Sequence, residues 1–337
     1  MLHKIRTQLQ AVANHVPGAL TGYRYVRKLT QNAYHFIRRK LLRMSETDYG
    51  IKQRLELLHR QIRILPDGRI SMPYIETYLA YGCNLKCEYC SHFNPFRKGL
   101  ESKETVLRSI ESWSKRLRPD IFGVLGGEPL LHPDFTEIVH FARKSFADST
   151  ICITTNGILL PKLTDEVLRS FQEAGRIEFW ISQHLDTPEY LESLQKLKER
   201  FDSHQVPLKV FPSTGKWAAL HKLDANGRAM PSQSNPALAW YYCYATNCRN
   251  IIGEALTFCS VLANIRLALE EGVLGEAWRR ALSHQPMTLV NSQEEILAYL
   301  RQGIYPECSL CPDDVKYIEA KQLSTEQIRE IMRAPST

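Results

Sequence analysis

Residues 73–90 read PYIETYLAYGCNLKCEYC, a stretch that joins a predicted strand to three closely spaced cysteines. The first half is rich in β-branched and aromatic residues, which favours a buried strand. The second half places Cys83, Cys87 and Cys90 in the loop directly after that strand. In parallel α/β sheets, loops at the carboxyl ends of the strands form the ligand sites. The stretch therefore predicts both the first strand of a sheet and the place of a site.

From this first strand onward, segments with strand character and segments with helical character alternate for more than a hundred residues. Further segments with strand character are DIFGVLG, STICITT, IEFWIS and PLKVFP. Amphipathic segments with helical spacing of their apolar residues lie between them. A strand followed by a helix, several times over, predicts a parallel sheet with right-handed crossovers, either open or curved into a full or partial barrel.

The helical segments carry recognisable start signals. In residues 101–117 one apolar face is predicted to consist of Val106, Ile110, Trp113 and Leu117. Helix starts are predicted from an N-cap or first-turn residue at Ser102, Pro133, Thr164 and Thr187.

Size and cysteine usage limit the class of protein. The chain has 337 residues, 44% of them hydrophobic, which is enough for a well-buried core. Its first twenty residues hold no signal-peptide-like apolar run, and no segment has the length of a transmembrane helix. We therefore predict a cytoplasmic protein. In a reducing compartment, clustered thiols are expected to act as metal ligands or catalytic groups, and the odd number of nine cysteines also argues against a complete disulfide framework.

The basic charge is concentrated at the N-terminus. Residues 1–70 contain fourteen Lys or Arg and four Asp or Glu, whereas the whole chain has a net charge of +7. The segment YRYVRKLTQNAYHFIRRKLLR is predicted to be helical, with basic residues around an apolar stripe. Such a helix can contact a membrane surface, a nucleic acid or an acidic partner, or it can simply pack on the main domain with a solvated face.

Three thiolates from one short loop suit an iron–sulfur cluster. They can bind three irons of a 4Fe–4S cluster and leave the fourth iron without a protein ligand. A zinc ion is the alternative, although structural zinc sites usually take four protein ligands. At this point the chain resembles the radical S-adenosylmethionine (radical SAM) superfamily, whose signature is CxxxCxxC with an aromatic residue before the last cysteine. Here that residue is Tyr89.

The resemblance extends to the loops after the following strands. In the family, a Gly-Gly-Glu-Pro turn after the second strand binds the amino group of S-adenosylmethionine, and polar residues after the third and fourth strands face the same cofactor. Glycine permits close backbone approach, and a carboxylate complements an ammonium group. The resemblance thus implies that the cofactor is bound by Tyr89, Gly126, Gly127, Glu128, Pro129, Thr155, Asn156 and Ser182.

The family's chemistry gives the expected function. The resemblance implies a partial (β/α)6 barrel in which S-adenosylmethionine chelates the open iron of a catalytic 4Fe–4S cluster. One electron, delivered by a donor such as flavodoxin or ferredoxin, then yields a 5′-deoxyadenosyl radical that abstracts hydrogen from a substrate. Cys83, Cys87 and Cys90 are the expected catalytic centre.

The C-terminal third contains a second group of cysteines. Cys248, Cys259, Cys308 and Cys311 have a spacing that can ligate a second 4Fe–4S cluster completely, and a hairpin centred on Gly253 is predicted between the first two. This resembles the auxiliary-cluster extension called twitch, a shortened relative of the SPASM domain. A four-cysteine zinc site is the alternative.

Two cysteines remain. Cys152 lies inside a predicted strand and is expected to be a small core residue. Cys243 has three possible roles: it can replace Cys248 as a ligand, pack in the core, or donate a hydrogen atom to a substrate radical. A donor thiol would permit epimerisation, whereas oxidation needs only a route for the second electron.

The substrate is predicted less directly. We expect oxidation or epimerisation of a small polar molecule, such as a sugar or aminocyclitol, with modification of a ribosomally made precursor peptide as the alternative. Aromatic and ionic candidates for substrate contact are Trp217, Trp240, Tyr241, Tyr242, Tyr244, His184, Lys216 and Arg249. Outside this class, the competing hypotheses are a non-catalytic iron–sulfur carrier and a zinc-stabilised nucleic-acid binder.

The predicted organisation has three parts. A basic, mainly helical extension occupies residues 1–70, the radical SAM partial barrel occupies 71–235, and the twitch/SPASM-like domain occupies 236–337.

Overall fold

The computed structural model describes residues 45–212, 217–314, 316–318 and 321–333. The chain divides after Glu56 into two units, and the described part of the first is residues 45–56. The predicted helix within residues 23–43 therefore lies outside the described residues. The second unit, Leu57–Thr337, contains the sheet and both groups of cysteines.

Strands and helices alternate through the first half of the second unit. The strands are β1 Arg63–Ile64, β2 Ile70–Ala80, β3 Leu117–Gly126, β4 Thr150–Thr155, β5 Ile177–Gln183, β6 Leu208–Pro212, β7 Trp217–Ala218, β8 Lys222–Leu223, β9 Ala229–Met230, β10 Arg249–Ile252, β11 Ala255–Thr257 and β12 Tyr317–Ile318. The helices are α1 Glu46–Gln61, α2 Lys103–Ser114, α3 Phe135–Ser145, α4 Asp165–Ala174, α5 Pro188–Ser203, α6 Pro236–Tyr242, α7 Ser260–Glu270, α8 Glu276–Ala281, α9 Gln293–Gln302 and α10 Thr325–Arg333.

The main sheet has the order β11-β10-β2-β3-β4-β5-β6. Strands β2 to β6 pair in parallel with their neighbours, and β10 pairs in parallel with the other side of β2. The helices α2, α3, α4 and α5 each connect two successive strands. This is the predicted α/β partial barrel with six parallel strands.

Most predicted strand and helix boundaries are confirmed within one or two residues. The side chains of Ser102, Thr164 and Thr187 cap α2, α4 and α5 by accepting a hydrogen bond from the backbone. Two details were wrong. Leu117 begins β3 instead of ending a helix, and Pro133 lies before α3, which begins at Phe135.

The core lies between the sheet and its helices. The helical face formed by Val106, Ile110 and Trp113 is buried as predicted, and Cys152 is fully buried within β4. Beneath the helices, the Phe122 and Phe146 rings stack with their centroids 4.3 Å apart. Burial of this apolar area is the main favourable contribution to folding of the unit.

The C-terminal part adds a hairpin and a second apolar cluster. Strands β10 and β11 are antiparallel, and Gly253 between them has φ 56°, which confirms the predicted hairpin. Helix α7 is buried along most of its length, and Trp278 and Leu310 pack against it. Phe93, from the loop after β2, is buried in the same cluster and so ties that loop to the C-terminal core.

Candidate active site

An open cavity of about 410 Å³ lies at the carboxyl ends of β2 to β5. The loops after four successive strands contribute to its wall, as expected for ligand sites in parallel sheets. The predicted site residues that line it are Cys83, Cys87, Cys90, Gly126, Gly127, Thr155, Asn156, Ser182, His184 and Tyr244.

The cysteine loop is folded by short-range hydrogen bonds. The backbone amide of Cys90 donates to the carbonyl of Cys87 (3.2 Å), and that of Phe93 donates to the carbonyl of Cys90 (3.0 Å). Asn94 ties the end of the loop to its beginning by donating to the carbonyl of Tyr81 (2.6 Å). The three thiols are thereby held on one side of the cavity.

Burial raises the pKa values of these thiols. The pKa of Cys83 is raised to about 11 and that of Cys90 to about 12, with the neighbouring thiols adding to the effect of desolvation. A thiolate is therefore disfavoured here until a cation compensates its charge. Such thiols are expected to lose their protons when they bind a metal.

The number of thiols at this cavity fits the cluster predicted from the sequence. Within the described residues, no three side chains of His, Cys, Asp or Glu converge to hold a single metal ion. A 4Fe–4S cluster does not need that convergence, because each thiolate binds a different iron. No fourth cysteine of the described residues lines this cavity, which matches the three-ligand set predicted for the catalytic cluster.

The glycine turn after β3 packs directly beneath the cysteine loop. The amide of Gly127 donates to the carbonyl of Ala80 (2.7 Å), and that of Glu128 donates to the carbonyl of Gly82 (3.2 Å). A Cβ atom on Gly127 would stand 2.0 Å from the Gly82 oxygen. Gly126 has φ 149°, which also favours glycine. Only a turn without side chains allows this approach of the two loops.

Glu128 lies behind the cavity wall. Its side chain is fully buried, and its carboxylate accepts hydrogen bonds from Thr155 Oγ1 (2.7 Å), the Asn156 amide (2.9 Å) and the Leu130 amide (3.2 Å). Burial raises the pKa of the carboxyl group, and these three donors oppose that shift. Pro129 is buried beside it at the start of a short 3₁₀ turn.

Asn156, which directly follows β4, links that strand to the cysteine loop. Its side-chain amide donates to Asn84 Oδ1 (2.6 Å) and approaches the Cys83 sulfur at 3.7 Å. Its backbone carbonyl accepts from the Tyr190 hydroxyl (2.7 Å). Asn156 is thus held at the cavity surface through both its side chain and its backbone.

Three residues near the site are notable from the structure. His92 and Tyr317 line the cavity, although the sequence pattern did not single them out. His92 interacts through Nδ1 with the Gly126 carbonyl (3.1 Å), and burial lowers its pKa to about 4. Tyr89 instead stacks on His221, with centroids 5.5 Å apart.

The second group of cysteines surrounds another cavity. Its lining includes Cys243, Cys259, Cys308 and Cys311, but not Cys248. Burial raises the pKa values of Cys259 and Cys308 to about 12. Four thiols around one cavity match the number needed to ligate a cluster completely.

A buried cation accompanies these thiols. Arg249 is 2% exposed and lines the second cavity. Burial lowers its pKa to about 10, and its Nε has no hydrogen-bond partner within the described residues. A buried guanidinium with an unused donor fits a cavity that holds an anionic group, and a cluster bound by four thiolates is anionic.

The other predicted substrate contacts are dispersed. Trp240 lines the second cavity, and Tyr241 packs edge-on against the half-exposed Tyr242. Lys216 and the side chain of Trp217 lie outside the described residues.

Along the described part of the chain, no helix is both long and apolar enough to span a membrane.

A comparison with protein families agrees with the site. The profile of the Radical SAM superfamily matches residues 77–211, which include the cysteine loop, the glycine turn, Asn156 and Ser182. Residues 77–211 therefore form a radical SAM domain.

Curated relatives match part of the chain. The GTP 3′,8-cyclase of Chlorobaculum tepidum is 30% identical over 105 residues, which cover 30% of each chain. The GTP 3′,8-cyclase of Aquifex aeolicus is 33% identical over 144 residues, covering 40% of this chain and 39% of the relative. The chain thus matches only about a third of the length of these relatives.

Solved structures show a more distant likeness. BtrN in complex with AdoMet and 2-DOIA is 15% identical, with a TM-score of 0.38, and the match covers 72% of this chain and 98% of BtrN. Streptococcus suis SuiB bound to S-adenosylmethionine is 18% identical, with a TM-score of 0.35, over 42% of this chain and 34% of SuiB.

Proposed function

We propose that this protein is a radical SAM enzyme that cleaves S-adenosylmethionine reductively and removes a hydrogen atom from a small polar substrate. One observation carries the proposal. The three thiols of the cysteine loop share a cavity with the glycine turn, Asn156 and Ser182, which lie at the carboxyl ends of three successive neighbouring strands. A non-catalytic iron–sulfur carrier or a zinc-stabilised nucleic-acid binder would not need this arrangement.

Different groups of residues would perform the separate tasks of such an enzyme. Cys83, Cys87 and Cys90 would hold the catalytic 4Fe–4S cluster, which supplies the electron that splits the sulfonium bond to give a 5′-deoxyadenosyl radical. The glycine turn exposes backbone at the cavity surface for the amino group of the cofactor. The side-chain amide of Asn156 is held in place and would face the polar groups of the cofactor.

Glu128 has a positioning role in this proposal. Its carboxylate is enclosed and already accepts three hydrogen bonds from the Thr155 hydroxyl and the backbone around it. It therefore orients Thr155 and Asn156 toward the cofactor instead of meeting the ammonium group itself. This arrangement fixes two cofactor contacts with one buried acid.

A second cluster is proposed in the C-terminal part. Its ligands would be Cys243, Cys259, Cys308 and Cys311, because these four line one cavity together with the buried Arg249. Spacing predicted Cys248 as a ligand, with Cys243 as a possible replacement; we propose Cys243, because it lines this cavity and Cys248 does not. The positive charge of Arg249 would offset part of the negative charge of the thiolates and the cluster.

This assignment of Cys243 favours oxidation over epimerisation. A hydrogen-donating thiol must face the substrate, but Cys243 lines the second cavity and not the first. The second electron of an oxidation would pass to the auxiliary cluster. A donor such as flavodoxin or ferredoxin would supply the first electron.

The first cavity suits a compact polar substrate. Its volume of about 410 Å³ must hold the cofactor as well as the reacting part of the substrate. Ser182, His184 and Tyr244 give it a polar and aromatic wall. The names of the cyclase relatives specify a nucleotide, which is also small and polar. A precursor peptide is the alternative and would present a single side chain to the cavity.

Anaerobic reconstitution tests the proposal. We expect about eight irons and eight sulfides per chain, from two four-iron clusters, and dithionite-dependent formation of 5′-deoxyadenosine. Cys87→Ala should abolish 5′-deoxyadenosine formation, while the buried Cys152→Ala variant should retain it. Bound zinc without sulfide, or cofactor cleavage that persists in Cys87→Ala, would overturn the proposal.

The auxiliary ligands are tested by a pair of variants. Cys243→Ser should lose about four irons per chain, because it removes a thiol from the second cavity, whereas Cys248→Ser should keep them. Iron content and Mössbauer spectra of the reconstituted variants measure this directly. Loss of about four irons in Cys248→Ser but not in Cys243→Ser would instead identify Cys248 as the ligand.

A further inference from the structure

A short C-terminal segment, residues 321–325, is hydrogen-bonded to the cysteine loop. The amide of Glu88 donates to the carbonyl of Lys321 (3.0 Å), and the amide of Leu323 donates to the carbonyl of Lys86 (2.8 Å). These two bonds flank the central cysteine of the loop. The segment therefore lies against the loop in a defined register, with Gln322 facing Cys87.

The side-chain amide of Gln322 bridges the loop backbone and the thiol. Its Oε1 accepts from the Lys86 amide (2.7 Å), and its Nε2 donates to the Cys87 sulfur (3.2 Å). The backbone N–H can only donate, so the oxygen of the amide must face Lys86 and the NH₂ group must face the sulfur. The two contacts thus fix the orientation of the donor.

The other two sulfurs have no comparable side-chain donor within the described residues. Cys83 accepts from the Leu85 amide of its own loop (3.4 Å), and the Asn156 amide lies 3.7 Å away. Cys90 itself donates to Asn94 Oδ1 (3.0 Å), a contact that ends when the thiol loses its proton. Gln322 is therefore the strongest donor that reaches this ligand set from outside the loop.

We infer that Gln322 is a positioning residue that raises the reduction potential of the catalytic cluster through its N–H···S hydrogen bond to Cys87. The inference rests on the proposed function. Reduction adds one electron, supplied by dithionite or a protein donor, and makes the cluster one charge more negative without forming or breaking a bond. A donor on a ligand sulfur stabilises that added charge and so favours the reduced state.

The test compares reduction potentials in the reconstituted full-length protein. Gln322→Leu removes the donor and should make reduction about threefold to tenfold less favourable, a tenfold change being about 59 mV for one electron. Gln322→Glu keeps an acceptor for the Lys86 amide but places negative charge beside the sulfur, so its potential should fall at least as far. Potentials are read by redox titration of the EPR signal that changes when S-adenosylmethionine is added, which separates the catalytic cluster from the auxiliary one.

Thr325→Val is the matched control. Thr325 accepts a hydrogen bond from Lys86 Nζ (2.9 Å) in the same segment but does not contact a sulfur, so the potential should not move. Unchanged potentials in both Gln322 variants would overturn the inference. Loss of the catalytic cluster in both, but not in Thr325→Val, would also overturn it, in favour of a purely structural clamp. A wild-type protein that assembles no cluster would instead contradict the proposed function.

Discussion

Glu76 is an acid in the middle of β2 that is almost fully buried. It is 2% exposed and accepts a hydrogen bond from the Tyr78 hydroxyl (3.2 Å). Burial raises its pKa from 4.5 to about 7, although neighbouring donors oppose the shift. The folded protein therefore binds this proton more tightly than the unfolded chain does.

Glu76→Gln should change how stability depends on pH. Between pH 4.5 and about 7 the folded state holds more protons, so wild-type stability should fall as pH rises and then level off. The Glu76→Gln variant has no carboxyl group at this position, so its stability should not show this fall. Relative to wild type it should gain up to about 3 kcal/mol between pH 5 and pH 8.

Urea unfolding of reconstituted protein at the two pH values measures the gain. Glu173→Gln, at an exposed position on α4, is the control and should follow wild type. Equal pH dependence in wild type and Glu76→Gln would contradict a raised pKa at this position.

At the scale of single residues, the sequence placed the three thiols of the cysteine loop directly after a strand, but it left open which of Cys243 and Cys248 faces the second cavity. Spacing cannot decide between two cysteines five positions apart, because the turn after α6 determines which one faces the cavity. There the Ala245 amide donates to the Cys243 sulfur (3.3 Å), while Cys248 is buried near Glu76, Cys259 and Cys243 without lining the cavity. The cavity residue Tyr317 was missed for a similar reason, since only tertiary packing brings it to the site.

At the scale of elements, local signals explain the predictions that succeeded. Ser102, Thr164 and Thr187 are N-caps because their side chains satisfy an amide of the first turn, which is a purely local interaction. The wrong assignment of Leu117 has a non-local cause. It pairs with Ile70 of β2, and this pairing places it in the sheet instead of in α2.

Gly127→Ala should disrupt the contact between the two loops of the site. The added Cβ would lie 2.0 Å from the Gly82 oxygen and 2.5 Å from Asn94 Nδ2, so the loops must move apart. We expect a stability loss of about 2 kcal/mol or more, together with impaired assembly of the catalytic cluster. Thermal unfolding and iron content measure the two effects.

Gly82→Ala is the matched control on the opposite loop. The nearest atom to its added Cβ would be Lys98 Cα at 3.6 Å, an ordinary van der Waals distance. It should retain wild-type iron content. Equal retention by Gly127→Ala would show that the loops tolerate a wider separation than the structure indicates.

At the scale of the whole molecule, Arg97 joins the cysteine loop to the C-terminal core. Its guanidinium is fully buried and forms a bidentate pair with Glu271 (2.8 and 2.7 Å). It also donates to Asn264 Oδ1 (3.0 Å) on α7 and to the His92 carbonyl (3.3 Å). One side chain thus connects the loop after β2 with the helix that follows the β10–β11 hairpin.

Arg97→Leu should destabilise the protein by about 2–4 kcal/mol. The loss leaves Asn264 and a backbone carbonyl without a donor, while Glu271, which is 34% exposed, regains partial hydration and so limits the cost. Urea unfolding measures the change. Arg169→Leu, which breaks an exposed pair with Glu166, is the control and should cost less than about 1 kcal/mol. Equal effects would argue against a structural role for the buried pair.

The hairpin shows the limit of local patterns at this scale. The turn at Gly253 and its two flanking strands were predicted from residues 251–258, but no local signal indicates that β10 pairs in parallel with β2, where Asn250 lies opposite Glu76. That pairing depends on packing between distant segments. It cannot be read from the periodicity of either strand.

The position of β10 also has a consequence for biosynthesis. On the ribosome, Cys83 emerges more than 160 residues before the strand that flanks β2 is complete. Until then the nascent chain has an unpaired strand edge beside three thiols that no finished cavity encloses. Insertion of the proposed clusters is accordingly expected after translation, and cells deprived of iron should accumulate full-length apoprotein.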